Sequence, residues 1–457
     1  MWKTYEKVAF RIAFIFFILI SIPSSWSWYR NLFTTNWLRP GYRDVYDVAR
    51  FQPDFINVNS ESGRWGIASY ASWGIALLVA IVGALIWGWF DKKRKEYNLL
   101  YYWLRVIVRY RAGIGIIGFG FTKLFPVQMP YPSLSNLLTD FGDFTAQKIY
   151  WLSIGIVPWY QVFAGIVEVT AGVLLFFRRT ASIGAVLLAG ALANITFVNF
   201  AYDGGVHVYS AYFVLLALFV LWYDVPAIYK LFVLQQYTVP VYHYPAFNKT
   251  WQRVSRWTLK WGAFFVFVVL LFYLQWWNYR YDPYKQPVHK AIAGTKGVYN
   301  VTEFRLNNKV IPYSPQDSLR WSQVTFEKWS TITYQVNKAV KLDLSNGGGS
   351  PKEDIDRNFE LAGVAGRRRF FYYEADTTSG TLTLRDKNRS ALRKGSTDRP
   401  NTKKEKDHPL VWHYERPAPG RIILYGLNDN KDSIYVILDK VDKRYTLSES
   451  TIEAGQY

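Results

Sequence analysis

The chain has 457 residues, and 54 Lys and Arg against 34 Asp and Glu give it a formal net charge of +20. It has no cysteine, which excludes disulfides, iron–sulfur clusters and cysteine-ligated zinc within the chain. No two of its five histidines (His207, His243, His289, His408, His413) lie in apolar runs, so a bis-histidine haem is not expected. Residues 1–280 are long apolar runs thick with aromatic side chains, whereas residues 281–457 are polar and rich in turn residues. That contrast predicts a multi-pass α-helical membrane part joined to a C-terminal all-β domain. The excess positive charge is what membrane-flanking segments carry, so nucleic acid is not an expected partner; the lipid bilayer is.

A span needs about twenty mostly apolar residues, and seven stretches qualify: 8–25, 68–90, 104–125, 152–177, 181–201, 208–224 and 261–279. The first follows Lys3 and Lys7, and the PSSWSWYR beyond it lacks a small-x-small cleavage site, so it reads as a retained anchor. With the second it makes an N-terminal hairpin within residues 1–98. The next four form a bundle within 99–230. A connector and the last span occupy 231–280, and the β domain 281–457. Basic clusters at Lys92–Lys95, at Arg178–Arg179 and between Lys230 and Lys260 alternate consistently if all are cytoplasmic. This places the protein in a bacterial inner membrane, N-terminus inside and β domain in the periplasm. Arg30, Arg39, Arg43, Arg50 and Arg64 in the predicted outer loop 26–67 run against that rule, and Asp44, Asp47, Asp54 and Glu61 offset them only partly.

The third span, RYRAGIGIIGFGFTKLFP, puts Arg109, Gly113, Gly120 and Lys123 near one helical face. Glycines there admit close helix packing, and the cations need partners; Arg109 or Arg111 is a candidate to neutralise Glu168. The fourth span carries that glutamate inside QVFAGIVEVTAGVLLFF, with Gly165 and Gly172 on its face. An ionisable group at that depth costs several kcal/mol, about 3 or more, unless paired, protonated or wetted. It either holds helices together or handles a proton or ligand. The fifth span ends in a polar run in which Asn199 and Asp203 lie a turn apart, Asn194 deeper, and His207 follows a Gly204–Gly205 break. These either form an outer pocket for a quinone headgroup or merely end the helix in water.

The pattern R-x3-G-x6-G-x2-K-L, made by Arg109, Gly113, Gly120, Lys123 and Leu124, resembles the first helix of DoxX-like membrane proteins. Gly165, Glu168 and Gly172 match the G-x2-E-x3-G of the helix that follows, and Arg178–Arg179 precede an Ala- and Gly-rich third helix. The resemblance covers about residues 104–224. Phe119 stands where many relatives place a His, so no role of that imidazole carries over. The resemblance implies a four-helix membrane bundle, of which some members are subunits of redox systems such as thiosulfate:quinone oxidoreductase. A quinone is therefore the one cofactor it suggests; no metal site is expected.

Residues 225–260 mix aromatic and basic side chains as a membrane surface requires, and WGAFFVFVVLLFYLQWW reads as a plain anchor. Beyond it the period changes to two. Strand-like runs separated by Asn307–Asn308, Thr378–Ser379–Gly380 and Asn428–Asp429–Asn430 predict hairpins in a barrel or sandwich, resembling lipocalin-like barrels. Residues 345–358 and 386–408 read as polar loops, and His408 with His413 as strand-edge residues. The expected function is a non-autonomous membrane subunit of an envelope complex, linked to quinone redox chemistry, with membrane or periplasmic protein partners and a lipid or quinone ligand. An assembly or scaffold protein and a proton-coupled transporter are the alternatives.

Overall fold

A computed structural model describes residues 2–56, 58, 67–239, 242–340, 342–344, 347, 353–388 and 409–447. Glu61, Arg64, His408 and the bulk of the two predicted polar loops lie outside the described residues. The first helices are α1 (Thr4–Ser21), α2 (Trp26–Thr34), α3 (Tyr42–Ala49), α4 (Ala71–Phe90) and α5 (Asn98–Leu124). Next come α6 (Leu134–Leu137), α7 (Ala146–Gly155), α8 (Pro158–Leu175), α9 (Ala181–Ala201) and α10 (His207–Trp222). Then follow α11 (Val225–Phe232), α12 (Thr250–Phe264) and α13 (Leu271–Tyr281), the last two joined by a π-helical turn. The chain divides into a helical unit, Met1–Phe125 with Val162–Trp277, and a β unit, Pro126–Gln161 with Asn278–Tyr457.

Four helices among the described residues are long and apolar enough to cross a membrane: Ala68–Phe90, Pro158–Leu175, Ala181–Ala201 and Thr250–Tyr281. The number rises to six if α1 with α2, bent by 49°, and α10 with α11, bent by 70°, each count as one span. The difference from seven is α5, which has 27 residues but carries Arg105, Arg109, Arg111 and Lys123. The fourth predicted span also starts later than expected. Pro158 cannot continue a preceding helix but opens one well, so residues 152–155 belong to α7 and the span begins at α8.

The helical unit is built around α5. Its buried residues run from Leu104 to Lys123, and from Arg111 onward every position except Ile114, Phe119 and Leu124 is enclosed. α1, α3, α10 and the π-helical turn before α13 pack on it. α8 comes closest of all. A methyl group on Gly165 would lie 2.3 Å from the Leu124 amide nitrogen, and one on Gly120 would lie 2.9 Å from that of Val169. Gly113 faces the Gly172 carbonyl at 3.0 Å in the same sense. The two backbones are therefore in contact, as small residues permit between apolar helices. α9 in turn approaches α8 where a methyl on Gly184 would meet the Ala171 carbonyl at 2.8 Å, and α10 packs on both α9 and α5. Helices α5, α8, α9 and α10 thus close a four-helix ring.

In the β unit the strands are β1 (Gly297–Leu306), β2 (Lys309–Val310), β3 (Trp321–Phe326), β4 (Thr331–Val336) and β5 (Arg368–Asp376). The remaining ones are β6 (Thr381–Asp386), β7 (Leu410–Ala418), β8 (Arg421–Leu427) and β9 (Ser433–Val441). All neighbours are antiparallel, and β9 returns to β1 from Val298↔Val441 to Leu306↔Ile434. With β2 a short appendage of β1, the other strands form a closed eight-stranded barrel, and closure removes the exposed sheet edge. Asn307 and Asn308 both hold positive φ, at 50° and 63°, as a two-residue hairpin turn requires.

Aromatic side chains fill the barrel: Trp321 stacks on Tyr334 at 4.0 Å, with Trp412 5.2 Å from Trp321 and Phe371 5.5 Å from Tyr334. Strands β3–β5 are buried on their outer face too. Residues 126–161 and 353–364 cover them, tied by the Asn136 side chain donating to the Glu360 carbonyl at 2.8 Å and the Thr145 amide donating to that of Gly363 at 2.9 Å.

Substitution separates the packing glycines from ordinary ones. Gly165→Ala must part the two backbones, at a cost of about 1–3 kcal/mol. Gly190→Ala meets nothing within 4 Å and gains up to about 1 kcal/mol of helix propensity. Thermal unfolding in detergent should show opposite shifts; equal shifts would contradict the backbone contact.

Candidate functional site

Glu168 lies midway along α8 with 2% of its surface exposed, and Lys123 in the last turn of α5 with 8%. The Lys123 ammonium donates to Glu168 Oε1 in a buried ion pair. The pairing follows from the glycines. Gly120 and Gly165 draw the helices together on either side, so an ammonium and a carboxylate at the same height must meet. The expectation that Arg109 or Arg111 neutralises Glu168 is corrected here. Arg111 is twelve residues before Lys123 on the same helix, about 18 Å along the axis at 1.5 Å per residue.

Arg111 serves another purpose. It donates to the Tyr212 hydroxyl at 3.0 Å, to the Ala49 carbonyl at 3.1 Å and to the Phe51 carbonyl. Its guanidinium lies 3.8 Å from the centre of the Phe51 ring. Tyr212 then donates to the Ile20 carbonyl at 2.7 Å, so one buried arginine clasps α5 and α10 to the chain end of α1 and to the segment after α3. Arg109 is fourteen residues before Lys123, about 21 Å along the axis, and lines a cleft with Arg105 and Arg178.

The other polar candidates do not join the ion pair. Asn199 donates to the Ile195 carbonyl of its own helix at 2.7 Å, and Thr196 reaches Ser210 across to α10 at 3.0 Å. His207 opens α10 and is buried with its ring 4.3 Å from that of Phe200. Asp203 sits half-buried at φ 53° in the corner between α9 and α10. Asn194 is exposed on another side of α9. Two buried groups do stand out beside α5. Glu168 Oε2 has no hydrogen-bond partner among the described residues, and neither does either amide atom of Gln275. Gln275 lies on α13 one turn beyond Leu271, which touches α5 at Gly118. The sequence places it in a span that reads as a plain anchor, although a lone amide in so apolar a run is itself a signal.

No family model matches the chain, and no solved structure does. It is similar to a Bacillus subtilis (strain 168) protein described as "Uncharacterized protein YwoB". The two are 37% identical over 97 residues, 19% of this chain and 63% of that protein. The chain thus covers less than two thirds of that relative's length.

The β unit holds a second buried polar cluster, on the outer wall of β3–β5. Glu360 accepts from Lys387 at 2.6 Å, from the Trp329 indole at 2.7 Å and from Thr331 at 3.0 Å. Glu327 accepts from the amides of Leu134 and Ser135 at 3.0 and 2.9 Å. Lys148 donates to the Phe359 carbonyl, and Arg368 donates to Thr333 and Gln323 at 3.0 Å each. Burial, reinforced by the Glu360 charge, pushes the Glu327 carboxyl up to about 7. Burial likewise pulls the Lys148 ammonium down to about 7, against the attraction of Glu360 and Asp343. Sequence reasoning missed this cluster because its strand members occupy alternate positions that normally face water.

Two outcomes are expected. Glu168→Ala leaves an uncompensated buried ammonium and should cost about 3 kcal/mol or more, while Lys123→Met combined with Glu168→Met recovers most of it. A double-mutant cycle by thermal unfolding reads this, and additive losses would exclude the pairing. In the β unit the contribution of Glu327 is full below its ordinary 4.5 and is lost as pH rises through about 7. That of Lys148 is full above 10.5 and is lost as pH falls through about 7. Denaturant unfolding across pH should lose its falling slope between 4.5 and 7 in Glu327→Gln, and its rising slope between 7 and 10.5 in Lys148→Met.

Proposed function

We propose that this protein is an integral membrane subunit that anchors and presents a β-barrel domain within a bacterial envelope complex, without a catalytic step of its own. The observation that carries the reading is where the charges in the helical unit go. Lys123 and Glu168 neutralise each other, and Arg111 closes on backbone carbonyls and a tyrosine. These are contacts that hold helices together, and the charges in them are not turned toward a substrate. On this reading α5, shielded by its neighbours, is the seventh span. The ring of α5, α8, α9 and α10 is a DoxX-like bundle, and the basic end faces the cytoplasm with the barrel in the periplasm.

One observation favours a second reading, a quinone-linked redox subunit. Glu168 Oε2 and the Gln275 amide are buried beside α5 with hydrogen-bonding capacity left over. An amide donor and a carboxyl group are what a quinone's oxygens need, with the electrons coming from a partner.

Purification from native membranes in mild detergent, followed by mass spectrometry of proteins and quinones, tests both. Assembly predicts envelope proteins at a fixed ratio and no quinone, with Glu168→Gln lowering the yield of complex but not the activity of what remains. A protein that purifies alone overturns it. A stoichiometric quinone lost in Gln275→Leu replaces it with the second reading.

A further inference from the structure

The end of α5 remote from Lys123 carries an assembly that the preceding reading does not use. A cleft there is lined by Tyr102, Arg105, Arg109, Arg178, Tyr242 and Tyr244 among others. Arg105 and Arg109 lie one turn apart on α5, and Arg178 enters from the turn after α8. The guanidinium of Arg178 stands 4.2 Å from the Tyr244 ring and that of Arg105 4.9 Å from the Tyr223 ring. Arg256 and Lys260 of α12 add charge nearby, over the rings of Phe247 at 5.0 Å and Phe177 at 4.3 Å.

Among the described residues Asp224 is the carboxylate that pairs with this cluster, and its capacity is taken. Arg105 donates to it at 2.5 Å, Ser182 at 2.5 Å and Tyr242 at 2.8 Å. Arg105 is thereby neutralised. Arg109 and Arg178 have no ion pair among the described residues, and Arg109 Nε is buried without a hydrogen-bond partner. Two uncompensated guanidinium groups beside tyrosine hydroxyls form an anion site, and their planar forks fit a tetrahedral oxyanion. The cavity of about 40 Å³ has room for about three water centres at 10–15 Å³ each, the scale of one phosphate group.

We propose that this cleft binds a phosphate group. Exposed Trp251, Trp257 and Trp261 on α12 at the same end are what an aromatic interfacial belt supplies, which makes a phospholipid headgroup the favoured carrier over free phosphate. Arg109 and Arg178 hold the phosphate oxygens, and Arg105 is kept in place by Asp224.

The test is native mass spectrometry of the full chain in detergent, titrated with phosphatidylglycerol or with diacylglycerol as a phosphate-free lipid. Phosphatidylglycerol should be retained at least tenfold better. Arg109→Gln with Arg178→Gln should lower that retention about tenfold, while Lys249→Gln with Arg253→Gln, an equal loss of charge at the start of α12, should change it less than twofold. Equal losses in the two double variants, or no loss in the first, overturn the site in favour of diffuse surface charge. Should the first variant fail to fold, Arg109→Lys with Arg178→Lys keeps the charge but not the fork, and unchanged retention there also overturns it. If millimolar inorganic phosphate raises the melting temperature of the unaltered chain but not of the variant, and no lipid is retained, the site binds free phosphate instead.

Discussion

Backbone contact between α5 and α8 is the constraint on which the helical unit depends. Apolar helices gain little hydrophobic drive from meeting in an apolar medium, so their association rests on van der Waals contact and internal polar bonds. Gly113, Gly120, Gly165 and Gly172 remove the side chains that would hold these two helices apart. Only at that separation can a lysine and a glutamate from opposing helices close an ion pair with no water between them. The pair is a consequence of the glycines, and it adds specificity, because sliding one helix along the other would leave two buried charges unmatched.

Arg111 works differently from Lys123 although both are cations on α5. A guanidinium has several donors in a fixed plane, and this one divides them among a tyrosine of α10 and two backbone carbonyls where α3 ends. It thereby satisfies carbonyls at the end of the short helix α3 that would otherwise lack partners in an apolar setting. The β unit solves the same problem in the opposite place. Its interior is aromatic, and its charges sit on the outer wall, where residues 126–161 and 353–364 exclude water from them.

Much of this was legible in the sequence. The change of period near residue 281, the paired glycines and the Asn307–Asn308 turn are local signals, each read from a window of a few residues. The partner of Glu168 was not legible: Arg109, Arg111 and Lys123 recur within fifteen residues, and helical spacing alone leaves all three as candidates. Gln275 escaped notice because hydropathy averages over a span and one amide hardly moves the mean. Arg368, and Glu327 just past the end of β3, escaped because a strand's alternation tells two faces apart without saying which is covered; Lys148 escaped because nothing local to α7 tells that its ammonium will be enclosed.

By itself, then, the sequence determined that there are apolar helices and an antiparallel β domain, and which residues let helices come close, since hydropathy, side-chain volume and turn chemistry belong to each residue. The tertiary structure alone decided which cation meets the buried carboxylate, that residues 126–161 complete the β unit, and that the outer wall of the barrel is closed to water. Those outcomes depend on which distant segments become neighbours, and the reach of a long charged side chain leaves that choice to packing.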